Sequence, residues 1–338
     1  MTFLPTDEQR AFARSLDAML TAADTPAAVR AWAGGDPGPG RALWGRLAEA
    51  GVSALAIPEE YEGLGLLPVE LAHAFVELGR HAVPGPAVET VATAVLLGEL
   101  ARLGEPGPAK RLLPGLASGE RTATLTIAGV ETVRHTVPYA LDADRADTVL
   151  VVRGEELWRA PGHGPVRVSA DPARRLARPA PGGELLAEGP AVTVAAGQAR
   201  RWAMLATAAQ SLGVGLALLD RTVAYARQRA QFGTPIGAFQ AVKHRLADTL
   251  LALEFARPLL FGAAVTMTPG DLAAAKVATG EAGYAAARTA LQIHGAVGYT
   301  EELDLSLWLR KARPLRNAWG DPATCRATVI GAYSRTGS

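Results

Sequence analysis

Trp202–Leu219 is a run of 18 residues without one charged side chain, and no other stretch constrains the fold as strongly. By count alone it is long enough to cross a bilayer. Its content argues against that, because most of it is Ala, Gly, Thr, Ser and Gln rather than Leu, Ile or Phe, which is weak hydrophobicity for a membrane span. A helix that is apolar on every side without facing lipid belongs at the centre of a large protein. The run is therefore expected to be a core helix, with no membrane span. A chain of 338 residues, 49% of them hydrophobic, has ample material to surround it.

The rest of the chain falls into three textures. Thr6-Asp7-Glu8-Gln9 has the capping-box arrangement and predicts a helix starting there. A Gly- and Pro-rich linker, Gly34–Gly40, precedes a predicted second helix, Arg41–Ala50, with Leu43, Trp44, Leu47 and Ala48 on one face. Further helices fit Val69–Arg80, Val88–Leu103 and Lys110–Leu116. From about Arg121 the texture changes to short β-favouring runs: TATLTIAGV, TVPYALDA, DTVLVV, EELWRA, PVRVSA and PAVTVAA, separated by Gly, Pro and Asp turns. These predict a small antiparallel barrel or sandwich. Helix returns from Ala199 through Arg229, then over Phe239–Ala264, Pro269–Gly295, Glu301–Lys311 and Pro322–Tyr333. The expected fold is α+β and mainly helical, with domains at 1–119, 120–196 and 197–338.

Charge and cysteine usage exclude several function classes. Thirty-four basic residues against 33 acidic ones leave a net charge of +1, so no long-range field holds nucleic acid or an anionic membrane. A lone Cys325 permits no internal disulfide, leaves no metal cluster and suits a reducing cytoplasm. The N-terminus, MTFLPTDEQRAFARSL, carries early acids and does not read as a secretory signal.

Two segments carry the chemistry. In YARQRAQFGTPIGAFQAVKHRLAD, Tyr225–Asp248, Arg229 and Gln231 can grip anions and amides, Phe232 offers a flat stacking face, and Gly233, Pro235 and Gly237 fix a turn between two helices. In ALQIHGAVGYT, Ala290–Thr300, Gln292 precedes a glycine-rich bend. Together they resemble the signature of the acyl-CoA dehydrogenase family, whose first segment reads Arg-x-Gln-Phe-Gly-x-Pro-Ile-x-x-Phe-Gln and whose second reads Gln-x-x-Gly-Gly-x-Gly-Tyr. LAIPEEYEGLGL, Leu55–Leu66, is similar to that family's Pro-Glu-x-x-Gly-Gly-x-Gly loop. The resemblance implies a helical N-terminal domain, a small middle β domain, a C-terminal four-helix bundle, and FAD-dependent desaturation of an acyl-CoA thioester with electrons passing to an electron-transfer flavoprotein. It further implies that Arg229, Gln231 and Phe232 reach the pyrophosphate and adenosine of FAD in a neighbouring subunit, joined by Gln240, Gln292 and Gly295; His244, one turn after Gln240, either touches the nucleotide or has a plain surface role. The family's second glycine is here Ala296, whose methyl group crowds that side. His294 reads as a packed residue rather than a base.

Desaturation needs a carboxylate to remove the proton α to the thioester. The two positions where the family carries it hold Trp319, before Gly320, and Ala203, before Met204. Asp321, Glu301 and Glu302 lie close in sequence but read as helix caps or exposed acids. The family's lid over the flavin ring is not recognisable in TLTIAGVE, Thr124–Glu131. These departures are similar to those of the short subunit of heteromeric, α2β2 actinobacterial steroid-type acyl-CoA dehydrogenases, in which a second, larger subunit supplies the glutamate. The alternatives are a self-sufficient homo-oligomer with a relocated base and a non-catalytic scaffold.

Overall fold

A computed structural model describes residues 5–128 and 138–334. Met1–Leu4 of the expected non-signal N-terminus, Gly129–Glu131 of the Thr124–Glu131 stretch, and Thr136 and Val137 of one expected strand lie outside the described residues. In chain order the elements are helices α1 (Asp7–Thr21), α2 (Thr25–Gly34) and α3 (Gly38–Glu49), strands β1 (Ala56–Ile57) and β2 (Gly65–Leu66), then α4 (Pro68–Arg80), α5 (Ala87–Arg102) and α6 (Gly107–Ala117). Strands β3 (Ala123–Ile127), β4 (Ala140–Leu141), β5 (Thr148–Arg153), β6 (Glu156–Arg159), β7 (Arg167–Val168), β8 (Arg175–Ala177) and β9 (Glu184–Glu188) follow. Helix α7 (Pro190–Gln228), strands β10 (Ala230–Gln231) and β11 (Thr234–Pro235), and helices α8 (Gln240–Thr266), α9 (Pro269–His294), α10 (Leu305–Asn317) and α11 (Pro322–Tyr333) complete the chain. The fold is α+β and mainly helical, as expected.

The described residues form two compact units. One takes in the chain up to Pro26, Ala72–Val83 and everything from Met204 onward; the other comprises Ala27–Leu71 and Pro84–Ala203.

In the first unit α7 explains the odd composition of its uncharged run. Within the apolar window of this helix 94% of the residues are buried. A Cβ on Gly213 would stand 1.9 Å from the Val76 carbonyl oxygen, one on Gly79 2.3 Å from that of Gln210, and one on Gly283 2.6 Å from that of Ser211. Helices α4 and α9 therefore approach the α7 backbone closer than larger side chains allow, and Ala, Gly and Ser are what fits. The Ser211 hydroxyl returns to its own helix, Oγ donating to the Thr207 carbonyl at 2.8 Å. Gly213→Ala is expected to lower stability by about 1–3 kcal/mol, at the upper end because the clash is with backbone. Urea midpoints of the two proteins check this, and equal midpoints would refute the close crossing.

In the second unit α5 is buried on nearly every side. It is tied to β3 by Thr90, whose Oγ1 donates to the Ala123 carbonyl at 2.9 Å and accepts from the Ala123 amide at 3.2 Å. The Leu55–Leu66 loop is a small hairpin, Ile57 pairing with Gly65. Its glycine is obligatory at Gly63, where a Cβ would lie 1.9 Å from the Ile57 carbonyl oxygen. The middle strands make a four-stranded sheet, β3-β5-β6-β9, and a three-stranded one, β4-β8-β7.

Four expectations are corrected. β3 and β5 run parallel, not antiparallel. PAVTVAA is not a strand but the first turns of α7, which starts at Pro190 after Gly189 at φ +104°. Proline is pre-set for a helix's first position, and burial of Val192, Ala195, Ala196 and Ala199 outweighs the β preference of Val and Thr. The linker at Gly34–Gly40 shrinks, since α2 occupies Thr25–Gly34 and α3 begins at Gly38. The helix expected from Glu301 starts only at Leu305. Glu301 instead pairs with Arg310 at 2.6 Å, a reach across nine residues that a helix rising 1.5 Å per residue would not allow.

Asp142 anchors the second unit. It is wholly buried, at φ +51°, accepting from the Trp32 indole at 3.1 Å and the Arg175 amide at 3.3 Å. Burial pushes its carboxyl up to about 7. The folded state thus holds this proton more tightly than the unfolded chain, whose carboxyl titrates near 4. Stability carried by the protonated form is present below about pH 4 and is lost as pH rises through about 7. Asp142→Asn is expected to flatten that decline, read as urea midpoints at pH 5 and pH 8; parallel slopes would contradict it.

Candidate functional site

The elbow is built by local chemistry. Helix α7 ends at Gln228, and the chain reverses in the two-stranded hairpin β10–β11, with Gln231 paired to Thr234. Its two turn residues, Phe232 and Gly233, both have positive φ, +53° and +76°. This is the primed turn that matches strand twist and normally takes Asn-Gly. A phenylalanine there costs about 1–2 kcal/mol of left-handed strain, a cost more often found at functional positions than elsewhere. The hairpin base is closed by the Ile236 amide donating to the Arg229 carbonyl at 2.8 Å. Below it Ile236 is buried, and Gly237 sits where a Cβ would press on the Ala226 carbonyl at 3.0 Å.

The chemistry-bearing side chains all point outward. Phe232 is 93% exposed, and its only ring neighbour among the described residues is Phe239, edge-on at 6.4 Å. Arg229 and Gln231 are exposed, and no described residue pairs with the guanidinium or the amide side chain. Gln240 is the first residue of α8, whose N-terminus receives no side-chain cap, and His244 follows one turn later, also exposed.

The second segment meets the first. Helix α9 carries exposed Gln292 and ends at Gly295, φ +63°, followed by exposed Ala296. Between them His294 is buried and stacks on Tyr225, ring centres 4.1 Å apart, while its Nδ1 bonds the Ala290 carbonyl at 2.8 Å. Burial holds this imidazole below its ordinary pKa, so it is a neutral, packed residue. Tyr225 lies one turn before Arg229, so this stack joins the elbow to the end of α9. The sequence placed both residues inside the two motifs; what it did not reveal is that they touch.

The slots for a base present another picture. Trp319 and Gly320 take left-handed φ, +55° and +144°. A Cβ on Gly320 would stand 2.8 Å from Cys325 Sγ and 3.2 Å from Met204 Cε. Met204 follows Ala203, so the two stretches where a carboxylate was sought come together in space, and neither brings one. The nearby acids are engaged. Asp321 caps α11, accepting from the Ala323 and Thr324 amides at 2.9 and 3.1 Å, and the Thr324 hydroxyl bond holds its carboxyl below the usual range. Glu301 is held by Arg310, and Glu302 is exposed.

Sequence reasoning missed Lys276. Buried in α9, its ammonium donates to the Leu315 and Arg316 carbonyls at 3.0 and 2.8 Å, closing the C-terminal end of α10. Burial pushes it down to about 8. Nothing in a helical Ala-Ala-Lys-Val marks such a lysine as internal.

The chain matches two family domain models: acyl-CoA dehydrogenase, N-terminal domain, over residues 6–120, and acyl-CoA dehydrogenase, C-terminal domain, over residues 194–331. It is 34% identical to acyl-CoA dehydrogenase IpdE2 of Mycobacterium tuberculosis over 312 residues, 91% of this chain and 92% of that protein. Among solved structures it is similar to the ChsE4–ChsE5 complex from Mycobacterium tuberculosis, with a TM-score of 0.82 at 24% identity, covering 100% of this chain and 99% of that one. A variant of the Tcur3481–Tcur3483 steroid ACAD superposes with a TM-score of 0.82 at 23% identity, covering 98% and 99%.

Proposed function

Because this chain belongs to the acyl-CoA dehydrogenase family, we propose that it acts as one subunit of a heteromeric, FAD-dependent acyl-CoA dehydrogenase in which a larger partner subunit supplies the catalytic glutamate. The observation that carries this reading is an outward-facing elbow, the Arg229 guanidinium without a partner among the described residues beside a 93% exposed Phe232, on a chain whose family base positions read Trp319 and Ala203.

The donor set fits the nucleotide end of FAD. The planar Arg229 guanidinium suits forked hydrogen bonds to phosphate oxygens. The Gln231 and Gln292 amides suit ribose or adenine edges, and Phe232 offers a stacking face. Gly295, with nothing within 4 Å of an added Cβ, leaves room for backbone to approach a phosphate. When bound, FAD supplies the acceptor for the hydride leaving the β carbon. The residues of this chain hold and orient the nucleotide; taking the α proton falls to a carboxylate this chain does not place there.

Helix α8 supports a partner surface: Leu251, Phe255 and Leu259, spaced four residues apart, are all exposed, Phe255 to 73%. A spacing of four puts them on one stripe, and such stripes mark protein interfaces. Similarity to a steroid ACAD supports an acyl group on a steroid side chain; in this reading electrons pass on to an electron-transfer flavoprotein and the complex works in the cytoplasm. The divisions 1–119, 120–196 and 197–338 stand as the proposed domains of the subunit.

The test is a dye-reduction assay with acyl-CoA on the chain alone, supplied with FAD, and on the chain co-expressed with its partner. Turnover is expected only from the complex. Normal turnover by the lone chain would overturn the reading in favour of a self-sufficient enzyme.

A further inference from the structure

Away from the elbow, the first unit holds a cluster that desaturation does not use. Glu77, in the last turn of α4, and His81, just beyond that helix, are four residues apart and face the same side. Asp17 of α1 faces both. One ligand atom from each, an imidazole nitrogen and two carboxylate oxygens, lies within 4.8 Å of the others. His81 Nε2 sits 2.8 Å from Asp17 Oδ1.

That pair alone leaves Glu77 unexplained. Its Oε2 is buried and has no hydrogen-bond partner. Burial, reinforced by the neighbouring Asp17 charge, pushes its carboxyl up to about 7 although Arg80 and Arg257 pull the other way. The nearest cation is Arg80, whose Nε stands 3.5 Å from this oxygen, too far for a hydrogen bond, and whose other end already binds Asp220 at 3.1 Å. An ion at the cluster would therefore displace Arg80 from Glu77 without leaving its guanidinium unpaired.

We propose that Asp17, Glu77 and His81 bind one divalent first-row transition-metal ion, fastening α1 to α4. An imidazole and two carboxylates on packed helices make a mixed N/O donor set of the kind that takes zinc, manganese or cobalt. Metal–ligand bonds of about 2.0–2.2 Å require the donors to close to about 3–3.5 Å from one another. Asp17, half exposed, can make that movement by a change of rotamer, and water fills the remaining positions. On binding, His81 exchanges its hydrogen bond to Asp17 for a metal bond and Glu77 gives up its proton.

The experiment uses tag-free protein, stripped with chelator and dialysed against Zn²⁺ or Mn²⁺, with bound metal measured by mass spectrometry and Co²⁺ followed by visible absorbance. One equivalent per chain is expected, with metal raising the melting temperature. Glu77→Gln and His81→Gln are each expected to weaken uptake at least tenfold and to abolish the thermal shift. Asp17→Asn, at a half-exposed position, supplies the same reading should either of these variants fail to fold. No saturable uptake by the stripped protein, or uptake within twofold of wild type in the variants, would overturn the site. Neither result depends on flavin or on the elbow.

Discussion

Replacing Arg229 with alanine in the co-expressed complex is expected to weaken FAD binding about 10- to 100-fold, with most of the visible flavin lost on gel filtration. A hydrogen bond to a charged group contributes about 1.5–3 kcal/mol, and every 1.4 kcal/mol is tenfold in affinity. Among the described residues Arg229 has no carboxylate to hold, so the change removes no internal ion pair and fold stability should not move. That separation is what makes the variant informative. Phe232→Gly should also lower flavin content while relieving the left-handed strain at φ +53°, so its melting temperature should hold or rise. Unchanged flavin in both variants would favour the scaffold alternative, in which the elbow has no ligand to meet.

The second large effect concerns the base. Glu301→Gln, Glu302→Gln and Asp321→Asn in this chain are each expected to leave the turnover of the complex within about twofold. Substituting the partner's carboxylate should cost about 100- to 10,000-fold, the usual contribution of a positioned general base. The geometry explains the asymmetry: Asp321 is committed to the first turn of α11 and Glu301 to Arg310. Loss of α11 capping in Asp321→Asn should be small, since asparagine caps nearly as well. A hundredfold fall in turnover from any of the three would locate a base in this chain and refute the division of labour.

What the sequence made legible was local. The capping box at Thr6 and Gln9 is present with both reciprocal bonds, because it needs only four consecutive residues. The uncharged run of α7 was readable as core, and its glycines, Gly213 and Gly215, mark contacts with Val76 and Leu253. The two motifs pointed to one surface, and the stack of Tyr225 on His294 joins them. The rest depends on partners distant in the chain. Pro190–Ala196 looks like a strand by composition and becomes helix through burial of every third or fourth residue. Thr25–Gly34, with its early proline, gave no helix signal. The parallel β3–β5 pair and the short strands β8 and β9 answer to register rather than to pattern. Lys276 and the Asp17–Glu77–His81 cluster were equally invisible, since each is defined by contacts between residues far apart in sequence.

The claim that this chain completes a flavin site on a partner is tested most directly by the visible absorbance of the chain purified alone and then after co-expression with that partner. The account predicts a colourless lone chain and a yellow complex with flavin stoichiometric to its sites. Stoichiometric flavin in the lone chain would contradict it, and would mean a complete homomeric site built without a partner.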